Sequence, residues 1–269
     1  MSSVVEREFF RSGLELDVRS DGRPRLGLRP LVVEQGVQAF ASGSCRVRNG
    51  EATVVAVVAA DVGEAVEGKE EGSVTFRVLS DGNAAFSPPE AKAIEMRLSG
   101  LLTALYAGDG FDRRQLFVGE ERAFRLNVTV CIAKHGGNLA SLASVAVKGA
   151  LMATRLPTAT LTTQRDEVFV TVDKNRLQAP LNAASAPLLV ELSVCGNYYY
   201  ADATVEEERH RDGALTMGFA ATGSDAVLTD FVVCRAGGLH AANLRSLTLE
   251  AAAIADQVHA TVQRVGLAE

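Results

Sequence analysis

The chain has 269 residues, 47% hydrophobic and 22% charged, with a formal net charge of −6 and no tryptophan. A chain of that length and balance buries roughly three quarters of the surface it exposes when unfolded, which excludes intrinsic disorder as its general state. The acidic total excludes a protein that grips phosphates over its whole surface; it leaves room for a local basic patch, or for partners that supply positive charge.

In chain order, Ser3-x-x-Glu6 predicts a capping box for a short helix with Val5 and Phe9 on one apolar face, ended by Gly13. The basic stretch Arg19-Ser20-Asp21-Gly22-Arg23-Pro24-Arg25, closing at Arg29-Pro30, reads as a turn. Leu31 to Glu34 reads as a strand. Ser44 to Arg48 and Ala52 to Ala60 are strands flanking Asn49-Gly50, a strong hairpin signal. Residues 61–72, DVGEAVEGKEEG, form a charged loop, and Ser73 to Leu79 returns as a strand. Pro88-Pro89-Glu90 opens a helix running to about Tyr106, with proline in the first turn where its missing N–H is harmless.

Leu116 to Val118 and Ala123 to Ala133 read as strands. His135-Gly136-Gly137-Asn138 turns the chain into a helix from Leu139 to Thr154, stopped by Pro157. Strands follow over 158–163, 167–172, 187–195, 198–203, 215–221 and 227–235. Gly237-Gly238 breaks the chain before a last helix, in which Leu247, Ala251, Ile254, Val258, Val262 and Val265 form one amphipathic stripe. Each half has paired strands followed by a helix. That pattern predicts an α+β (mixed α/β) layer fold, a single domain over residues 1–269 with a pseudo-duplicated interior.

Cys45, Cys131, Cys195 and Cys234 form no CxxC pair and lie in apolar runs, so free thiols in a reducing compartment are expected. His135, His210, His240 and His259 show no metal-ligand spacing, and no metal or other cofactor is expected. No apolar run reaches about 18 residues without a charge or breaker. The first ten residues, MSSVVEREFF, carry charge, so neither signal peptide nor membrane span is expected, and the expected location is cytosolic or nuclear.

Four stretches, taken in order and spacing, resemble the ribonuclease PH family. They are Asp21-Gly22-Arg23, Gly43-Ser44 to Gly50, Gly136-Gly137-Asn138 to Arg155-Leu156-Pro157, and Asp202-Ala203-Thr204-Val205-Glu206-Glu207-Glu208. The resemblance covers about residues 4 to 265. The runs His135 to Leu139, Ala146-Val147-Lys148, Thr154 to Pro157 and Ala201 to Thr204 are most similar to the family's non-catalytic members, ring subunits of the RNA exosome. The resemblance implies a structural subunit of a hetero-hexameric ring supporting 3′–5′ RNA processing and degradation. Its implied partners are other ribonuclease PH-like subunits, RNA-binding cap subunits and the RNA threading the ring, with work in the nucleus, nucleolus and cytoplasm.

Phosphorolysis of an RNA end brings two anions together. It needs fixed positive donors around the attacking phosphate and an acidic pair to place a metal or move a proton. The resemblance implies a small hydroxyl residue and an arginine after the glycine turn, where this chain has Asn138 and Leu139. It implies two acids, where this chain has Glu208 and Ala214, with Asp212 close by as a substitute if the alignment slips. On the helix that starts at Pro88, an implied arginine falls at Leu101. Leucine cannot replace a bidentate arginine. The expectation is therefore no catalytic residue and no enzyme; the alternative is an active phosphate-dependent exoribonuclease whose site is shared with a partner. An unrelated small-molecule enzyme on the same layer fold has no nucleotide loop or triad spacing in its favour.

Arg97, Arg113 and Arg114 are the candidate RNA contacts, weighed against ordinary solvated or surface positions. Arg19, Arg23, Arg25 and Arg29 could bind RNA, but pairing with acids to hold the turn is the preferred reading. Without the family pattern, Glu206 to Glu208 read as a solvated turn. The 61–72 loop sets Asp61, Glu64, Glu67, Glu70 and Glu71 against Lys69 and should repel RNA, contacting a neighbour or solvent instead.

Overall fold

The alternating run after Gly50 becomes the middle of a sheet. In strand β3 (Ala52–Glu64), Ala52, Val54, Ala56 and Val58 are buried while their neighbours are partly exposed. That period of two is what a half-buried strand dictates. The chain is described here from a computed structural model covering residues 4–80, 86–164, 167–222, 225–235 and 244–266.

The first sheet contains β1 (Leu31–Gln35), β2 (Gly43–Asn49), β3, β4 (Ser73–Leu79), β5 (Phe117–Gly119) and β6 (Arg122–Lys134). Their spatial order is β1-β2-β3-β6-β4, with β5 also on β6. β4 runs parallel to β6, and the other pairs are antiparallel. The second sheet has the order β10 (Tyr198–Ala201), β9 (Leu188–Cys195), β11 (Gly213–Thr222), β12 (Asp225–Arg235), all antiparallel. Between them in sequence, β7 (Arg155–Gln164) and β8 (Glu167–Pro180) form a separate two-stranded ribbon.

Helix α3 (Leu139–Met152), LASLASVAVKGALM, is apolar all round apart from Ser141, Ser144 and Lys148, and such a helix belongs in an interior. It lies against β2 and β3 of one sheet and β9 of the other. Each fully buried Leu or Val on it contributes about 1.5–3 kcal/mol. Helix α5 (Leu244–Gly266) lays its predicted stripe over both cores: Leu247, Ala251 and Ile254 pack in the second, Val262 in the first. Helix α2 (Pro88–Leu105) packs Leu98, Leu101, Leu102 and Leu105 into the first core, and Glu90 Oε2 accepts from both N–H and Oγ–H of Ser87 at its start.

Several expectations need correction. On helix α1 (Val4–Glu15) the buried residues are Phe10 and Leu14, whereas Val5 and Phe9 are exposed at 76% and 80%. Gly13 does not end that helix, and Ser3 lies outside the described residues. The Asn49-Gly50 hairpin forms, but Asn49 still pairs with Ala52, so Gly50 and Glu51 make the turn, with φ +55 at Gly50. A glycine first in a two-residue turn matches the strand twist. β3 runs on to Glu64 because β6 is equally long, so Asp61 belongs to a strand. Leu116 ends a 3-10 turn rather than starting a strand. α3 stops at Met152, and Pro157 lies inside β7, where the register with β8 shifts on either side of it. β6 completes the first sheet, between β3 and β4. Gly237-Gly238 lies outside the described residues.

Candidate functional site

Two glycines let the 135–138 turn pass between other backbones. A Cβ at Gly136 would overlap the Ala52 nitrogen, and one at Gly137, whose φ is +88, would overlap the Ala203 carbonyl. Only glycine takes both constraints without strain. Asn138 then caps α3 at φ +53. Opposite the turn, Asp202, also left-handed at φ +49, leads into α4 (Val205–His210). Thr204 and Glu207 form a reciprocal capping box: Thr204 N–H donates to Glu207 Oε2 at 2.8 Å and Glu207 N–H to Thr204 Oγ1 at 3.3 Å. The run read as a solvated turn is thus a helix with Glu207 buried. Thr204-x-x-Glu207 was the signal for it.

The basic stretch is structural. Arg29 donates to Asp202 from Nη2 (2.6 Å), Nε (2.9 Å) and its backbone N–H (2.8 Å), and Arg23 Nη1 and Asn138 Nδ2 each approach the same carboxylate to 3.1 Å. Burial opposes ionisation of Asp202, but these donors, Arg29 foremost, hold its pKa below the usual carboxylate value. Arg19, fully buried, grips both oxygens of Glu207 and donates to the carbonyls of Ala201 and Asp202. Burial likewise works against the Glu207 charge, and Arg19 together with the Thr204 bonds holds its pKa lowered. Arg25 pairs with Asp17 at the surface.

Next to this knot lie the residues that the resemblance set against a phosphorolytic site. The N–H of Asn138 donates to Glu208 Oε1 at 2.9 Å. Burial raises the Glu208 pKa, Arg211 opposes the rise and Glu191 adds to it. Glu191 on β9 is buried; it accepts from Arg97 Nη2 (2.6 Å), Arg211 Nη1 (2.8 Å) and Thr216 Oγ1 (3.2 Å). Although burial works against its charge, Arg211 and Arg97 keep its pKa lowered. Glu191 and Arg211 were missed from sequence, although a lone acid inside PLLVELSVC was a usable signal. Leu139 and Leu101 are buried in the first core, and Ala214 is buried opposite Ser193 in the β11–β9 ladder. Asp212 does not join Glu208: one oxygen takes Arg7 of α1, and the other accepts from Gly196 N–H at 2.7 Å.

Of the three candidate RNA contacts, Arg97 lies on α2, and Arg113 and Arg114 share the 3-10 turn before β5. Arg97 is held by Glu191; Arg113 lies 3.5 Å from Glu71; Arg114, 75% exposed, pairs with Asp112 at 2.9 Å. In the acidic segment, Asp61 pairs with Arg125 across to β6. Glu64, Glu67, Glu70, Glu120 and Glu121, with Phe117 and Phe169, line an open groove of about 990 Å³. Among the described residues, no group of three or more His, Cys, Asp or Glu side chains is placed to hold a metal. No described helix is long and apolar enough to cross a membrane.

Known proteins share parts of this sequence and its fold. Residues 27–157 match the 3′ exoribonuclease family, domain 1 (ribonuclease PH). The chain is 30% identical over 228 residues to the exosome complex component Rrp42 of Pyrobaculum aerophilum, covering 81% of this chain and 80% of that protein. It is 27% identical over 285 residues to human exosome complex component RRP45, covering 99% of this chain and 64% of the relative. In fold it is similar to a chain of the Archaeoglobus fulgidus exosome with RNA bound to the active site, with TM-score 0.77, 21% identity, and 96% and 97% of the two chains covered. A chain of an archaeal exosome core gives TM-score 0.74 at 21% identity, with 96% of each covered.

Proposed function

The chain belongs to the ribonuclease PH family, and from that membership we propose that it is a ring subunit of an RNA exosome core without phosphorolytic activity of its own. Its relatives named Rrp42 and RRP45 are exosome components, and its fold is that of exosome core chains. It works beside other ribonuclease PH-like subunits and RNA-binding caps, and supports the passage of RNA to be processed or degraded.

The observation that supports the lack of activity is the burial of Leu139 in the first core and of Ala214 in the β11–β9 ladder. Those positions would need a phosphate-binding cation and the second acid. Asp212, the nearest substitute, serves α1 and the β9–β10 turn. RNA contact in this reading falls to Arg113 and Arg114, on the 3-10 turn before β5.

The test is incubation of the purified chain with 3′-tailed RNA and inorganic phosphate. No release of nucleoside diphosphates is expected; release that Glu208→Ala abolishes overturns the reading. Light scattering of the chain mixed with ribonuclease PH-like partners should show a defined larger ring. A chain that never joins such partners is not a ring subunit.

A further inference from the structure

We infer that this chain closes its own oxyanion seat: the Glu208 carboxylate takes the place of an anion at the start of α3, while Glu191 neutralises the two guanidiniums beside it. This rests on the reading of a subunit without phosphorolytic activity. It goes further, because a site that only lacked catalytic groups would still attract phosphate, whereas one filled by its own carboxylates rejects it.

A helix start exposes N–H groups without intrahelical partners and carries partial positive charge, so it attracts anions. The first turn of α3 has no acidic residue, and the Asn138 side chain makes no capping bond to the helix because its amide is turned to Asp202. The anion comes from another element. Glu208, on α4, accepts the Asn138 N–H at 2.9 Å. The other cap bonds of α4, and the Arg19–Glu207 pair beneath it, fix the direction from which that carboxylate arrives.

The neighbouring cations are committed as well. Arg211 Nη1 lies 2.8 Å from Glu191 Oε1 and 3.9 Å from Glu208 Oε1, and Arg97 Nη2 lies 2.6 Å from Glu191 Oε2. Glu191 is itself fixed to α3, because its backbone N–H donates to Ser141 Oγ at 3.2 Å. Two carboxylates therefore face two guanidiniums and one helix start, and an entering phosphate would have to displace one carboxylate and lie beside the other.

The experiment is thermal unfolding of the full chain titrated with inorganic phosphate, against sodium chloride at matched ionic strength. Glu208→Ala vacates the seat. Glu206→Ala removes one negative charge from the exposed side of the same helix and controls for net charge. Glu191→Gln frees Arg97 and Arg211 while keeping the side-chain shape. The wild type and Glu206→Ala should unfold at the same temperature in both salts. Glu208→Ala and Glu191→Gln should be stabilised selectively by phosphate, their unfolding temperatures rising with phosphate concentration while that of the wild type does not. Equal phosphate stabilisation of the wild type overturns the inference, as does no gain in Glu208→Ala. Should Glu208→Ala fail to fold, the outcome for Glu191→Gln decides in the same way. Phosphate binding by the wild type without cleavage of RNA sinks the closed seat alone, whereas cleavage sinks the non-catalytic reading.

Discussion

The Nζ of Lys148 lies 2.7 Å from Nδ1 of His259, joining the middle of α3 to α5 inside the protein. Lys148 also donates to the carbonyls of Ala184 (2.6 Å) and Ala186 (2.9 Å), so all three of its protons are used. With Nδ1 accepting, His259 carries its proton on Nε2 and donates to the Phe219 carbonyl at 3.2 Å.

Burial, and then the Lys148 ammonium, push the His259 pKa down from 6.5 to about 4. The unfolded chain binds the extra proton between those values, so stability from this group is present above pH 6.5 and lost as pH falls through about 4. Urea unfolding over that range should show the loss, and His259→Phe should flatten it. His259→Phe should also cost about 1–3 kcal/mol at neutral pH, since Lys148 loses an acceptor in a buried place. An unchanged pH slope in the variant would remove His259 from the account.

Asp202→Ala should destabilise by about 3–5 kcal/mol, because it strands the partly buried Arg29 and Arg23 guanidiniums. Arg25→Ala breaks a surface pair with Asp17 and a contact over the Tyr198 ring, and should change stability by about 1 kcal/mol. Urea midpoints of the two variants separate a structural arginine stretch from an RNA-binding one. Equal small effects would favour RNA.

For Glu208 the folded pKa lies above its ordinary value of 4.5, with burial as the main cause. The folded state then holds the proton more tightly, and this group's contribution to stability declines as pH rises through that window. Glu208→Gln should match the wild type in acid and exceed it at neutral pH. Melts at both pH values check the sign, and a variant weaker than wild type at neutral pH would reverse it.

In an assembled ring, Arg113→Ala with Arg114→Ala should weaken RNA binding across sequences and lower the salt slope by about 1.4, roughly 0.7 per single-strand phosphate contact. Binding measured at several salt concentrations tests it. An unchanged slope would leave both arginines as surface partners of Glu71 and Asp112.

Gly137→Ala should destabilise by at least about 2 kcal/mol, because it forces a left-handed alanine against the Ala203 carbonyl. Gly100→Ala, in the exposed interior of α2 with nothing near the new methyl, should stabilise by about 1 kcal/mol. Thermal melts of the pair show whether the glycines of the turn are there for shape.

The sequence carried periodicity and punctuation better than lengths and partners. The α5 stripe from Leu247 to Val262 was readable because one face repeats every three to four residues. The glycine turn and α2 were readable for similarly local reasons. The α1 face was misread because Val5 and Phe9 share a helical period with nothing to distinguish them from Phe10 and Leu14; only the second sheet beneath the helix decides. β8 extends to Pro180, eight residues beyond the alternation, because β7 bends back beside it with register shifts that leave no local trace. At the candidate site, the resemblance pointed to Leu139, Glu208 and Ala214. The partners of Glu208 were not, because Asn138 and Glu208 are 70 residues apart and no spacing rule connects them.

The long β3–β6 ladder also sets an order of assembly. Its paired residues lie roughly 60 to 80 positions apart in the chain, and β4, made earlier, docks only on the outer edge of β6. Such distant contacts come late and fold slowly. On the ribosome, the β2–β3 hairpin must wait with its Val-rich edge uncovered until residues 122–134 emerge. Until then that edge is open to other chains, and newly made subunits would be at greatest risk of mispairing during this interval.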